Sequence, residues 1–145
     1  MKHIISLLLL VGCVVAEGNS SGTHNISFTV TEGTWMSVDL SPNGKTIAFD
    51  LLGHIYLLPI SGGKARAITN GTSWNMFPRF SPDGNTILFT SDRSGSDDLW
   101  TQDLSSGEMK NISEMKLPVH QGTWSNDGRH VFGTALNMKV RHPVY

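Results

Sequence analysis

An all-β fold built of repeated four-stranded units is what this sequence predicts, and three observations predict it. The block Ser41-Pro42-Asn43-Gly44-Lys45-Thr46-Ile47-Ala48-Phe49 returns 40 residues later as Ser81-Pro82-Asp83-Gly84-Asn85-Thr86-Ile87-Leu88-Phe89. A weaker copy, Ser125-Asn126-Asp127-Gly128-Arg129-His130-Val131-Phe132, follows 44 residues after that. Short apolar runs bounded by Gly, Asn, Asp and Ser fill the intervals, and no stretch shows 3.6-residue apolar spacing with helix caps. Four short antiparallel strands in each unit of this length are the mark of a propeller blade. The prediction is a partial β-propeller: two four-stranded antiparallel blades plus the start of a third.

The first segment, 1–16, reads as an export signal. Met1-Lys2-His3 is a short basic head, and Ile4 to Val15 is apolar except for Ser6, Gly12 and Cys13. That run is shorter than the roughly 20 apolar residues a bilayer-spanning helix needs, and it fits the apolar region of a secretory signal peptide. Cleavage after Val14-Val15-Ala16 is one outcome; Leu10-Val11-Gly12-Cys13, which has the form of a lipobox with Cys13 as the lipidated residue, offers the other. Cys13 is the only cysteine, so the mature domain has no internal disulfide in either case. No transmembrane span is expected once the signal is removed. Residues 17–25 are polar and rich in Gly, Ser and Asn, a flexible leader. Ile26-Ser27-Phe28-Thr29-Val30 alternates apolar and polar and is expected to be a strand that completes a distant blade.

Residues 26–145 are assigned to the incomplete propeller, with blades near 33–70, 74–113 and 120–145. In each, a four-residue turn with Asn-Gly or Asp-Gly reverses the chain, Pro presets φ at its second position and Gly supplies positive φ. In the first blade, Trp35 to Leu40 precedes this turn and Ile47 to Leu52 follows it. Gly53-His54 then turns into Ile55 to Ile60, and Ser61-Gly62-Gly63 into Ala65 to Thr69. In the second, Met76 to Phe80 and Ile87 to Thr90 lead through Ser91-Asp92-Arg93-Ser94-Gly95 to Leu99 to Leu104, and Ser105-Ser106-Gly107 turns into Met109 to Ser113. Residues i and i+2 on a strand share a face, so Ile47, Phe49, Ile87 and Phe89 are expected in blade-to-blade packing, with Ala48 and Leu88 facing the other way onto further blades. A blade needs neighbours to bury both faces, so the remaining blades of the ring are partners the sequence calls for. Two and a half blades by themselves are expected to aggregate.

These repeats resemble the TolB-type propeller repeat, closely over residues 81–104. Residues 41–69 match it with Asn43 for Asp and a shorter turn at Asp50-Leu51-Leu52-Gly53; the third copy departs from it at Asn126, where Pro is usual. Thr31 to Pro42, Phe49 to Tyr56 and Pro59 to Ala65 further resemble the propeller that precedes the catalytic barrel in a group of large exported amidohydrolases. That resemblance implies a downstream metal-dependent catalytic domain and a non-catalytic role for this module in scaffolding or substrate access. It also implies a bacterial periplasmic location. Two alternatives stay open: a TolB-like periplasmic propeller that binds an envelope protein, and the propeller of an exported serine peptidase.

The residues themselves give no catalytic, cofactor or metal set on this chain. His3, His24, His54, His120, His130 and His142 include no His-x-His pair and no His-Glu-x-x-His. His54 is expected in a solvated hairpin turn, and His120 and His130, flanking the third blade, are likewise read as ordinary residues and not ligands. No Gly-x-Ser-x-Gly elbow occurs. Asp92, Asp97 and Asp98 with Arg93 are a candidate site by clustering, but structural use is expected, with Asp92 shaping its turn and Arg93 pairing at the surface. Trp35, Trp74, Trp100 and Trp124 are expected to pack between blades, with ligand stacking at the propeller mouth the alternative. Asn19, Asn25, Asn70 and Asn111 head glycosylation sequons that a bacterial host leaves idle. With 11 Lys and Arg against 12 Asp and Glu, the chain lacks the basic stripe of a nucleic-acid partner.

Overall fold

The turn chemistry repeats bond for bond. In each copy the turn serine's hydroxyl donates to the Asx side chain two residues on, from Ser41 to Asn43, Ser81 to Asp83 and Ser125 to Asp127. The same hydroxyl accepts the N–H five residues on, from Thr46, Thr86 and His130. Gly44, Gly84 and Gly128 donate back to the serine carbonyls at 2.8–2.9 Å with φ of 68°, 75° and 69°, the left-handed region where glycine carries no steric cost. Asn126 in place of Pro leaves this wiring intact.

These turns and the apolar runs between them set the strands. The computed structural model describes residues 35–113 and 117–135, all within the compact unit Glu32–Tyr145. The signal 1–16 with Cys13, the leader 17–25, the Ile26–Val30 strand, His3, His24, His142, Asn19 and Asn25 lie outside the described residues. Strands β1 (Val38–Leu40), β2 (Thr46–Leu51), β3 (His54–Pro59) and β4 (Arg66–Ala67) form one antiparallel sheet in that order. Strands β5 (Asn75–Phe80), β6 (Thr86–Ser91), β7 (Asp98–Asp103) and β8 (Met109–Asn111) form a second. Strands β9 (Val119–Trp124) and β10 (Val131–Ala135) pair as a third. The fold is the predicted all-β array of four-stranded blades, and among the described residues no helix is long and apolar enough to cross a membrane.

Two local expectations are corrected. The β2–β3 turn is Leu52-Gly53, both at positive φ (51° and 78°), the two-residue form whose twist matches its strands. His54 is therefore the first residue of β3, paired with Leu51, and its Nδ1 is buried without a hydrogen-bond partner among the described residues. Phe77 and Gln121, each four residues before the turn serine, also take positive φ, 57° and 51°, beside register irregularities in β5 and β9. These bulges bend the inner strands.

The faces divide unevenly. Ala48, Ile55 and Leu57 of the first sheet form one core with Phe80, Ile87 and Phe89 of the second. Leu88 and Leu99 on the opposite face of the second sheet form another with Val119 of the third. Ile87 and Phe89 thus pack against a blade as expected, and Ala48 and Leu88 face the next one along. Ile47 and Phe49 do not join either core. They lie with Val38, Leu40 and Tyr56 on the face of the first sheet turned away from the second, where Val38 and Leu40 are 56% and 51% exposed. The parity was right; no described blade covers that side.

Candidate functional site: a groove across three inner strands

The first strand of each sheet, β1, β5 and β9, forms its inner edge, and each enters a Ser-led turn at the same end of the molecule. There a groove of about 510 Å³ runs across all three, lined by Asp39 and Leu40, Arg79 and Phe80, and Thr123 and Trp124, with the turns as its rim. Successive turns stack: a Cβ on Gly84 would lie 3.5 Å from Pro42, and one on Gly128 3.5 Å from Pro82. The rim is therefore a continuous wall.

Asp39, Arg79 and Thr123 occupy one register position, opposite Ala48, Leu88 and Phe132 on their neighbouring strands. Their chemistry differs at each step. The Asp39 carboxylate accepts the backbone N–H of Phe80 from the next sheet at 2.7 Å. Arg79 donates through Nη1 to its neighbour's carbonyl, Pro78 O, at 2.8 Å, and no carboxylate among the described residues forms an ion pair with it. The Trp124 indole N–H reaches the Arg79 carbonyl at 3.4 Å. The groove thus holds an anion and a cation at successive steps, within an otherwise neutral rim. None of its charged residues stood out from the sequence. Alignment of the residues just before each Ser-led turn is the signal that would have shown Asp39 and Arg79 as one position.

The residues weighed from the sequence lie elsewhere. Asp92 shapes its turn, accepting Trp74 N–H at 2.8 Å through its carboxylate and Gly95 N–H at 2.8 Å through its carbonyl. Arg93 makes no surface ion pair among the described residues; it folds inward. Its guanidinium lies 5.0 Å from the Trp100 ring centroid and 5.5 Å from that of Phe89, and it donates to Asn75 Oδ1 at 2.8 Å and Ser91 Oγ at 3.1 Å. Two aromatic faces outcompete water for a delocalised cation. Burial lowers the Arg93 pKa from its ordinary value, opposed by the Asp92 charge. Asp97 lies 3.5 Å from His120. Asp98 accepts from the hydroxyls of Ser94, Ser113 and Ser96 and from the Asn111 amide. Burial pushes its carboxyl up, and these hydrogen bonds together outweigh that and hold it below the ordinary range.

The other perturbed carboxyls serve turns. The Ser81 hydroxyl, then the Asn85 N–H, lowers Asp83; the Ser125 hydroxyl, then the Arg129 N–H, lowers Asp127. The Ser105 hydroxyl leads the donors that hold Asp103 at about 2. Among the described residues no three His, Cys, Asp or Glu side chains are grouped to hold a metal. The tryptophans divide: Trp124 packs on the second core and Trp100 on the first. Trp74 lies against Gly53, where a Cβ would come within 3.0 Å of its ring, and Trp35 is fully exposed instead of packed between blades.

The chain matches the TolB beta propeller domain family over residues 18–142. It is 28% identical over 89 residues to Tricorn protease homolog 1 of Streptomyces coelicolor, covering 61% of this chain and 8% of that protein. It is 40% identical over 58 residues to the Tol-Pal system protein TolB of Bordetella pertussis, covering 39% of this chain and 13% of that one. The crystal structure of TolB from Acinetobacter baumannii superposes with a TM-score of 0.61 at 29% identity, over 72% of this chain and 27% of that one. The chain spans a small part of the length of each of these relatives. With a match that takes in most of its length and a fold of antiparallel four-stranded blades, the chain belongs to the TolB β-propeller family.

Proposed function

We propose that this chain is the non-catalytic propeller module of an exported amidohydrolase-like hydrolase, and that its groove holds polypeptide on the way to the catalytic domain. The groove carries the reading: it sets Asp39 and Arg79 one step apart on adjacent inner strands. Asp39 is suited to amide donors and Arg79 to acceptors, the two needs of an extended chain. The kinship with a tricorn protease homologue supports a hydrolase setting, and the stretches 31–42, 49–56 and 59–65 support the amidohydrolase form of it. The apolar run Ile4–Val15 supports export to the periplasm, by cleavage after Ala16 or through a lipid on Cys13.

A second reading, a TolB-like module that binds an envelope protein, is favoured by the 40% identity to a Tol-Pal system TolB. The reading frame past Tyr145 separates them. A strand ending in His-x-His supports the amidohydrolase, a Gly-x-Ser-x-Gly elbow places the blades in a serine peptidase, and further blades with no catalytic domain leave the binder. The purified chain should show no turnover on amide, lactam or peptide substrates; stoichiometric metal with turnover would overturn the non-catalytic assignment.

A further inference from the structure

We propose that the step between β5 and β9 is a carboxylate site, in which the Arg79 guanidinium and the Trp124 backbone N–H together hold one carboxylate of a bound polypeptide. This deepens the polypeptide-holding reading above and rests on it. The repeat supplies its own template. Ser81 N–H donates across to Thr86 O, which turns the Phe80 N–H away from β6 and toward the inner edge, where the Asp39 carboxylate of the preceding sheet caps it at 2.7 Å. Ser125 N–H donates to His130 O in the same way, so the Trp124 N–H also points to the inner edge. The residue in Asp39's place is now Arg79, opposite Leu88 on the face that packs toward the third sheet.

Arginine has donors only. The Trp124 N–H accordingly has no acceptor among the described residues, while the half-buried Arg79 guanidinium spends one nitrogen on Pro78 O. Two donors, one of them cationic, stand where the preceding step places a carboxylate. An external carboxylate completes the pattern with charge-assisted bonds. Asp39, one step along, repels a second carboxylate and accepts N–H donors, so the ligand presents an acid at the Arg79 end and backbone amides at the other.

Two sources supply that acid, a chain's C-terminus or an Asp or Glu side chain. Three acetylated alanine-based pentapeptides separate them: one with a free C-terminus, one amidated, and one amidated with a central Asp. Each is titrated into the ¹⁵N-labelled 145-residue chain while the Trp124 amide resonance is followed. One or both acids should shift it and the neutral peptide should not. Arg79→Gln should weaken binding about tenfold or more, the loss of a charge-assisted pair. Arg79→Asp restores the template internally: it should abolish peptide binding and place the Trp124 amide at its ligand-bound position with no peptide present, a readout that a misfolded variant does not give. An unmoved Trp124 amide with both acids, or wild-type affinity in Arg79→Gln, overturns the proposal. Equal binding of the amidated peptide across the groove would leave the polypeptide-holding reading standing and remove the carboxylate site; no binding of any peptide would remove both.

Discussion

The Asp50 carboxylate accepts the backbone N–H of Phe77, 27 residues away on the next blade, at 2.8 Å, while its other oxygen accepts Ser37 N–H on its own blade at 2.9 Å. One side chain thereby ties two inner strands together at the bulge where Phe77 adopts φ 57°. Asp50→Ala removes the acceptor from both N–H groups and should cost about 1–3 kcal/mol in equilibrium unfolding. Asp50→Asn, which keeps one acceptor oxygen, should cost less. Equal stability of Asp50→Ala and wild type would show that the bracket contributes nothing.

Gly133 stands at the repeat position that Phe89 holds in the second blade, and the large residue has moved across the interface. A Cβ on Gly133 would come within 2.7 Å of Leu99 and 2.8 Å of Val119. Gly133→Ala should therefore destabilise by about 1–3 kcal/mol through overpacking. Leu99→Ala should relieve that clash, so the double variant should lose less than the two single losses combined. Strict additivity in a double-mutant cycle would sink this reading.

Phe89 and Phe49 are the same letter of the repeat with different surroundings. Phe89 is completely buried between two blades, so Phe89→Ala should cost about 3–5 kcal/mol. Phe49 stacks on Tyr56 at 5.5 Å on the uncovered face, and Phe49→Ala should cost markedly less. That same face should make the chain self-associate. Val38→Lys with Leu40→Lys should shift size-exclusion elution toward monomer; an unchanged profile would mean association occurs elsewhere.

Acid should weaken the fold through its turns. Asp83, Asp98, Asp103 and Asp127 all have folded pKa values below the ordinary aspartate value. Depressed carboxyls bind protons more readily when unfolded, so their contribution is present above about pH 4, the unfolded value, and fades as pH falls. For Asp103 the loss runs down to about 2. Thermal midpoints should drop between pH about 4 and about 2.5, and Asp103→Asn should flatten part of the slope. A midpoint independent of pH across that interval would contradict the assignment.

The strands and turns were legible in the sequence because their determinants are local. Ser81, Asp83, Gly84 and Thr86 wire one turn within six residues, and alternation along Ile87-Leu88-Phe89 separates two faces without any knowledge of neighbours. The placement of Arg93 is not legible in Ser91-Asp92-Arg93, which has the composition of a solvated turn; the rings that hold its side chain come from Phe89 and from Trp100 on another strand. The groove is hidden from the sequence for a similar reason, since Asp39 and Arg79 gain meaning only when three inner strands lie side by side.

By itself, the sequence determined the all-β class, the repeat, the Ser-led turns and which residues share a face, because hydrogen bonds spanning two to five residues and a two-residue side-chain period need no distant partner. Tertiary structure alone decided which face is covered, that Ala48 and Phe89 share one interface while Leu99 fills the space over Gly133 in the next, and that Asp39 caps Phe80 while Arg79 leaves Trp124 open. Those outcomes depend on packing volume and on backbone N–H groups brought together from some 40 residues apart, and the spacing of letters along a chain does not encode which of two equivalent surfaces will meet.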